Sequence, residues 1–244
     1  MDSMDSMPLQ RRGMGVRRAF GCGGVLLVLL LILIVARPLA RFVSAHGDGQ
    51  RQTRLANLVD EIAGGGSIEQ LPIHEAEFVE RIWQTPGCAA KVKSIVVWAG
   101  DLADPRWAHL AQFPNLTEIV IYSCPDVDSL LGQLQGGLAG LQRLDFVTSQ
   151  VSPTGMRLIR GFPSLRKVAF CPAFRAVDPS PLKGHAAIEA VRLDGVPVTD
   201  EWVNVLRSLP RLRNLDLWGE VTKGISVQDL KTALPNCTIQ VSQR

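Results

Sequence analysis

Leu141-Gln142-Arg143-Leu144-Asp145-Phe146 is one of six copies of a single phrase. Leu116-Thr117-Glu118-Ile119-Val120-Ile121 comes before it. Leu165-Arg166-Lys167-Val168-Ala169-Phe170, Ile188-Glu189-Ala190-Val191-Arg192-Leu193 and Leu212-Arg213-Asn214-Leu215-Asp216-Leu217 come after it, and Val92-Lys93-Ser94-Ile95-Val96-Val97 is a degenerate first copy. The copies start at 92, 116, 141, 165, 188 and 212. A period of roughly 24 residues is that of a supersecondary unit which cannot bury its apolar face alone and stacks on its neighbours. Positions 1, 4 and 6 of each copy are apolar, which predicts a strand with those side chains inward and the intervening ones outward.

A helix start is expected about a dozen residues after each strand. Asp104-Pro105, Ser152-Pro153, Thr199-Asp200-Glu201 and Ser226 to Asp229 have the composition of N-caps, two of them with proline at the first helical position. Each predicted helix buries one stripe: Trp107, Leu110 and Phe113; Leu130, Leu134 and Leu138; Met156, Ile159 and Phe162; Trp202, Val205 and Leu209; Val227, Leu230 and Leu234. Phe-Pro or Leu-Pro pairs at 113–114, 162–163, 209–210 and 234–235 end four of them. The stretch after Phe170 carries three prolines and no clear stripe, so an irregular segment is expected there. Thr238 to Val241 reads as a last strand.

These features together resemble the leucine-rich repeat family: the L-x-x-L-x-L phrase, a threonine-aspartate helix start and a leucine-proline helix end. The nearest variety is the helix-containing one of ribonuclease-inhibitor-like and F-box-adaptor-like repeats. The ending Ala233-Leu234-Pro235-Asn236-Cys237-Thr238-Ile239 resembles the closing unit of short, membrane-anchored bacterial members. The chain departs from the pattern in lacking a regular Asn or Cys after the strand. The resemblance implies an α/β solenoid with parallel strands on the concave face and helices on the convex face. It also implies protein recognition and no enzyme activity.

The remaining chain divides by composition. Residues 1–18 form a polar tail. Ala19 to Ala36 is an uncharged run of about 18 residues, which as a helix spans about 27 Å. It is expected to be a single transmembrane helix. Residues 37–50 form a juxtamembrane linker, 51–91 a helical N-terminal cap and 92–244 the repeats. Within the cap, Leu55, Leu58, Val59 and Ile62 make one stripe ending at Gly64-Gly65-Gly66, and Phe78, Val79, Ile82 and Trp83 make another. Arg11, Arg12, Arg17 and Arg18 precede the run and Arg37, Arg41, Arg51 and Arg54 follow it, close to a tie; the tighter spacing of the first four leans toward a cytoplasmic N-terminus with the repeat domain outside the cytoplasm. One rival reading is a secreted protein released by cleavage near Ala45. Another is an envelope spacer without a specific ligand.

With 26 basic and 23 acidic residues, the chain has no basic field, so a nucleic-acid partner is not expected. The five cysteines contain no C-x-x-C pair. Cys124 and Cys171 are two units apart, roughly 10 Å at about 4.8 Å per strand. A disulfide needs about 7 Å or less, so thiols are expected. The four histidines form no H-x-x-x-H pair and no triad, and His109 is expected on the exposed side of the first repeat's helix. No catalytic residue, metal, cofactor or small-molecule substrate is therefore expected. Asn115-Leu116-Thr117 and Asn236-Cys237-Thr238 match the glycosylation sequon, but both precede a strand, where Asn is ordinary turn chemistry.

The expected binding surface is the outward strand face. Its columns are Ser94, Glu118, Arg143, Lys167, Ala190 and Asn214; Val96, Val120, Asp145, Ala169, Arg192 and Asp216; and Trp98, Tyr122, Val147, Cys171, Asp194 and Trp218. Trp, Tyr and Arg dominate binding hot spots. Trp98, Tyr122, Arg143, Lys167, Arg192, Asp216 and Trp218 are therefore the candidate contacts with a protein partner. A competing expectation has Trp98 and Tyr122 packed under the N-terminal cap and Trp218 under the C-terminal end.

Overall fold

The computed structural model describes residues 71–98, 100–171, 177–219 and 225–242, with the isolated positions 57 and 60. All of them lie in one compact unit, Arg54–Arg244. The expected tail, transmembrane run 19–36, linker and first cap stripe lie outside the described residues. Among the described residues no helix is long and apolar enough to cross a membrane.

The described chain is α/β, built on one parallel sheet of eight strands in chain order. The strands are β1 (Leu71–Ile73), β2 (Ser94–Trp98), β3 (Glu118–Tyr122), β4 (Arg143–Val147), β5 (Lys167–Cys171), β6 (Ala190–Asp194), β7 (Asn214–Trp218) and β8 (Thr238–Ser242). Equivalent phrase positions are direct register partners. Glu118 lies opposite Ser94 and Arg143, and Arg143 opposite Lys167; the column continues through Ala190 and Asn214 to Thr238. Parallel neighbours of this kind need a crossover of a dozen or more residues, which the period of roughly 24 supplies.

The crossovers carry α1 (Ala76–Gln84), α2 (Val127–Gln133), α3 (Pro153–Ile159), α4 (Asp200–Ser208) and α5 (Val227–Ala233). Ala89–Lys91, Pro105–Gln112 and Ser180–Leu182 are 3₁₀ segments. From α1 onward these segments neighbour one another in chain order, apart from Ala89–Lys91, so a helical layer runs beside the sheet. The arrangement is compatible with a solenoid-like α/β fold.

Capping places the helix starts. Asp104 accepts from the Arg106 N–H, Ser152 from Thr154 and Gly155, and Thr199 from Trp202. Ser226 and Asp229 form a reciprocal capping box. Such caps satisfy N–H groups that the helix cannot pair internally, each contributing typically about 1 kcal/mol. Asp126 caps α2 in the same way, a start the sequence reading did not single out.

One core joins both layers. The phrase positions expected inward are buried, from Val92, Ile95 and Val97 to Leu212, Leu215 and Leu217. The helical stripes join the same cluster except at two positions: Val227 is only half-buried, and Trp83, expected on the inward stripe of the cap, is 40% exposed. Phe146 stacks on Phe170 with ring centroids 5.6 Å apart, and Phe170 meets Trp202 edge-on at 5.8 Å. Where α2 ends, Gly137 passes so close to the preceding segment that a Cβ would sit 2.2 Å from that of Ala111.

Three differences from the sequence reading stand out. The segment expected to be a helical cap also supplies a strand: β1 pairs in parallel with β2. Its phrase is legible in retrospect as Ile68-Glu69-Gln70-Leu71-Pro72-Ile73, 24 residues before the copy at Val92. Proline is tolerated there because β1 has no second strand neighbour among the described residues. Second, the helix expected to carry the Trp107, Leu110 and Phe113 stripe is 3₁₀ throughout, at Pro105–Gln112. Third, His109, expected on an exposed side, is half-buried and stacks on Trp83 at 4.2 Å. The irregular stretch after Phe170 holds only the short segment Ser180–Leu182 among its described residues.

Beyond the strands, the chain turns through left-handed residues. Ser123 (φ 52°), Thr148 (φ 48°), Gly195 (φ 71°) and Gly219 (φ 78°) each follow a strand end. Glycine bears this conformation without a Cβ penalty; serine and threonine do not. Ser123 and Thr148 are tied to each other by a 2.7 Å hydroxyl contact. Next to them the buried Ser149 hydroxyl accepts from the Cys124 N–H at 3.1 Å and lies 3.0 Å from the Ile121 and Val147 carbonyls. A serine thus bonds across units where no Asn or Cys stands after the strand.

Candidate partner-binding face

The outward columns are built by strand pairing alone. β2 and β3 put Trp98 opposite Tyr122, and their rings stack at 4.3 Å with planes 11° apart. His74, one residue past β1, extends the stack to Trp98 at 6.2 Å. Sequence reasoning missed His74 because it missed β1. Trp98 remains 38% exposed, so the described cap leaves its ring edge open. Face-to-face stacking consumes the ring faces and turns their electropositive edges outward.

At the other end of the sheet, the Arg192 guanidinium sits 4.5 Å from the Trp218 ring centroid. Asp216 is the register partner of Arg192. Between the two ends lies Arg143. It donates to Asp145 from Nε at 3.0 Å and from Nη2 at 2.6 Å, with Glu118 3.9 Å away. The Asp145 hydrogen bonds push the Arg143 pKa up, so its charge is fixed. Lys167 is exposed and makes no ion pair among the described residues. The structure therefore places the seven expected residues on one face without joining them: Trp98 stacks on Tyr122, Arg192 lies over Trp218 with Asp216 as its register partner, Arg143 is held by Asp145, which was not among the seven, and Lys167 stands apart.

The middle column differs from its expected exposure. Val96, Val120, Asp145 and Ala169 are buried although they point outward. These are short side chains between columns of long ones such as Trp98, Tyr122 and Arg143. Strands spaced at about 4.8 Å leave such positions little room for solvent. Burial of Asp145 is offset by two charge-assisted hydrogen bonds that Arg143 donates to its Oδ2.

Elsewhere, the described residues hold no cluster of three His, Cys, Asp or Glu arranged for a metal. Cys88, Cys124, Cys171 and Cys237 are thiols. Cys237 edges a groove of about 260 Å³ between the ends of α4 and α5, lined by Leu206, Leu209, Leu212 and Leu234. Burial, and then the Asp216 charge, push its thiol pKa up to about 11, which keeps the thiolate scarce at neutral pH. The Asn115 amide donates to the Ala90 carbonyl at 2.7 Å, so its nitrogen is engaged in turn structure.

No family model, curated protein or solved structure matches this chain.

Proposed function

We propose that the described unit is a leucine-rich repeat solenoid that binds a protein partner on its outward strand face and performs no chemistry. Trp98, Tyr122, Arg143, Lys167, Arg192, Asp216 and Trp218 make up the proposed contact surface, and residues 19–36 anchor the chain in a membrane with the repeats outside the cytoplasm. The observation that carries this reading is the register: copies of one phrase pair position by position through the sheet, lining up their outward side chains as columns. Support for the binding role comes from an exposed Trp98 and an exposed Lys167 on a face where Tyr122, Arg143, Arg192 and Trp218 are half-exposed. Trp, Tyr and Arg are the residues that dominate hot spots, and Arg192 lies over the Trp218 ring on this face.

The test is photo-crosslinking from positions 98 and 218 in intact cells, with and without the triple charge reversal Arg143→Glu, Lys167→Glu and Arg192→Glu. One dominant crosslinked protein, lost in the triple variant, is the expected result. Capture that survives the reversal of all three charges refutes this surface. Protease added outside intact cells checks the topology; it should digest the repeats.

A further inference from the structure

The sheet does not end as it runs. From β2 to β7 the two inward strand positions are buried without exception, from Ile95 and Val97 to Leu215 and Leu217. In β8 the same register positions hold Ile239, half-buried, and Val241, 43% exposed. β8 pairs with β7 along one edge, and its other edge has no partner among the described residues. Open edges are commonly guarded by lysine, proline, a bulge or an inward charge. Thr238-Ile239-Gln240-Val241-Ser242 carries no charge and no proline.

These five residues also read alike in both directions: polar, apolar, polar, apolar, polar. We propose that a second copy of this chain pairs antiparallel with β8 about a twofold axis through Gln240. A twofold interface is isologous, so one strand must complement itself. In this register Thr238 lies opposite Ser242 of the second copy, Ile239 opposite its Val241, and Gln240 opposite its Gln240. An axis normal to the sheet keeps the faces matched. The apolar pairs close the exposed end of the core, and the polar residues stay outward. No like charges meet, and a charged foreign strand gains no ion pair from β8. This pairing is independent of what the outward face binds.

Directly opposed residues of an antiparallel pair have Cα atoms roughly 4.5–5.5 Å apart, within disulfide reach. The full chain carrying Gln240→Cys is oxidised and run under non-reducing conditions, with the unsubstituted chain setting the background from native thiols. A disulfide-linked dimer well above that background is expected. Thr238→Cys alone should give none, since its copies lie about 14 Å apart at about 3.4 Å per residue. Mixing Thr238→Cys with Ser242→Cys chains should restore the dimer. Adding Val241→Lys to the Gln240→Cys chain should reduce it at least tenfold, with the circular-dichroism spectrum unchanged. A Gln240→Cys chain that stays monomeric overturns the proposal, as does Thr238→Cys self-crosslinking to the same extent or a dimer indifferent to Val241→Lys.

Discussion

Phe170 is the residue on which the stacking of units can be weighed. It is buried, its ring stacks on Phe146 of the strand before, and it meets Trp202 edge-on. Phe170→Ala removes the ring from a site that neighbours on both sides hold open. Substitutions of this kind cost about 3–5 kcal/mol, combining lost transfer energy and the cavity left behind. The more discriminating quantity is the coupling to Phe146. Offset aromatic pairs contribute about 0.5–1.5 kcal/mol beyond their buried area. A double-mutant cycle with Phe146→Leu and Phe170→Leu should therefore show a coupling in that range. The same cycle between Phe146 and Leu217, three strands away, should be additive to within about 0.5 kcal/mol. Urea unfolding followed by tryptophan fluorescence measures both, because Trp202 lies 5.8 Å from the Phe170 ring. Additivity at the Phe146–Phe170 pair would refute the argument that adjacent units share their aromatic core.

Other consequences follow from close contacts and from one buried base. Gly137→Ala places a methyl 2.2 Å from the Ala111 Cβ and 2.9 Å from its backbone, so it should destabilise by about 1–3 kcal/mol in the same urea assay, whereas Gly132→Ala, with nothing within 4 Å, should be neutral or stabilising. His185 is buried, accepts the Ala187 N–H at 3.3 Å, and has its pKa lowered, chiefly by burial. Its unfolded pKa of about 6.5 lies above the folded one, so the unfolded chain binds the proton first. Stability should be full above pH about 6.5 and decline as pH falls below it, and His185→Gln should flatten that part of a melting-temperature profile.

The inward columns were legible because strands alternate sides with a period of two and the phrase recurs on schedule. Leu144 and Phe146 could hardly face elsewhere without exposing every equivalent pair. Caps were legible at Asp104, Ser152, Thr199 and Ser226, but not at Asp126, although an Asp precedes that stripe too. β1 was missed because only three residues pair and Pro72 interrupts the phrase, and His74 was lost with it. The pairing of Arg143 with Asp145 was available in principle, since residues i and i+2 of a strand share a face. The sequence reading assigned the two to separate columns and did not connect them. Burial of Val96, Val120 and Ala169 was not legible from alternation, which says which side a residue faces and nothing about how tall its neighbours are. The left-handed Ser123 and Thr148 carried no glycine to announce them. A hydroxyl contact between these residues, 25 apart in sequence, accompanies the conformation.

The central claim is that equivalent phrase positions follow one another strand by strand. Spin labels on Glu118 and Asn214, four strands apart, and on Glu118 and Thr238, five apart, test it in a chain with its native thiols replaced. At about 4.8 Å per strand the backbone separations are roughly 19 and 24 Å. Pulsed dipolar measurements should give the second distance longer than the first by about one strand spacing. Equal distances, or a reversed order, would contradict the stacking.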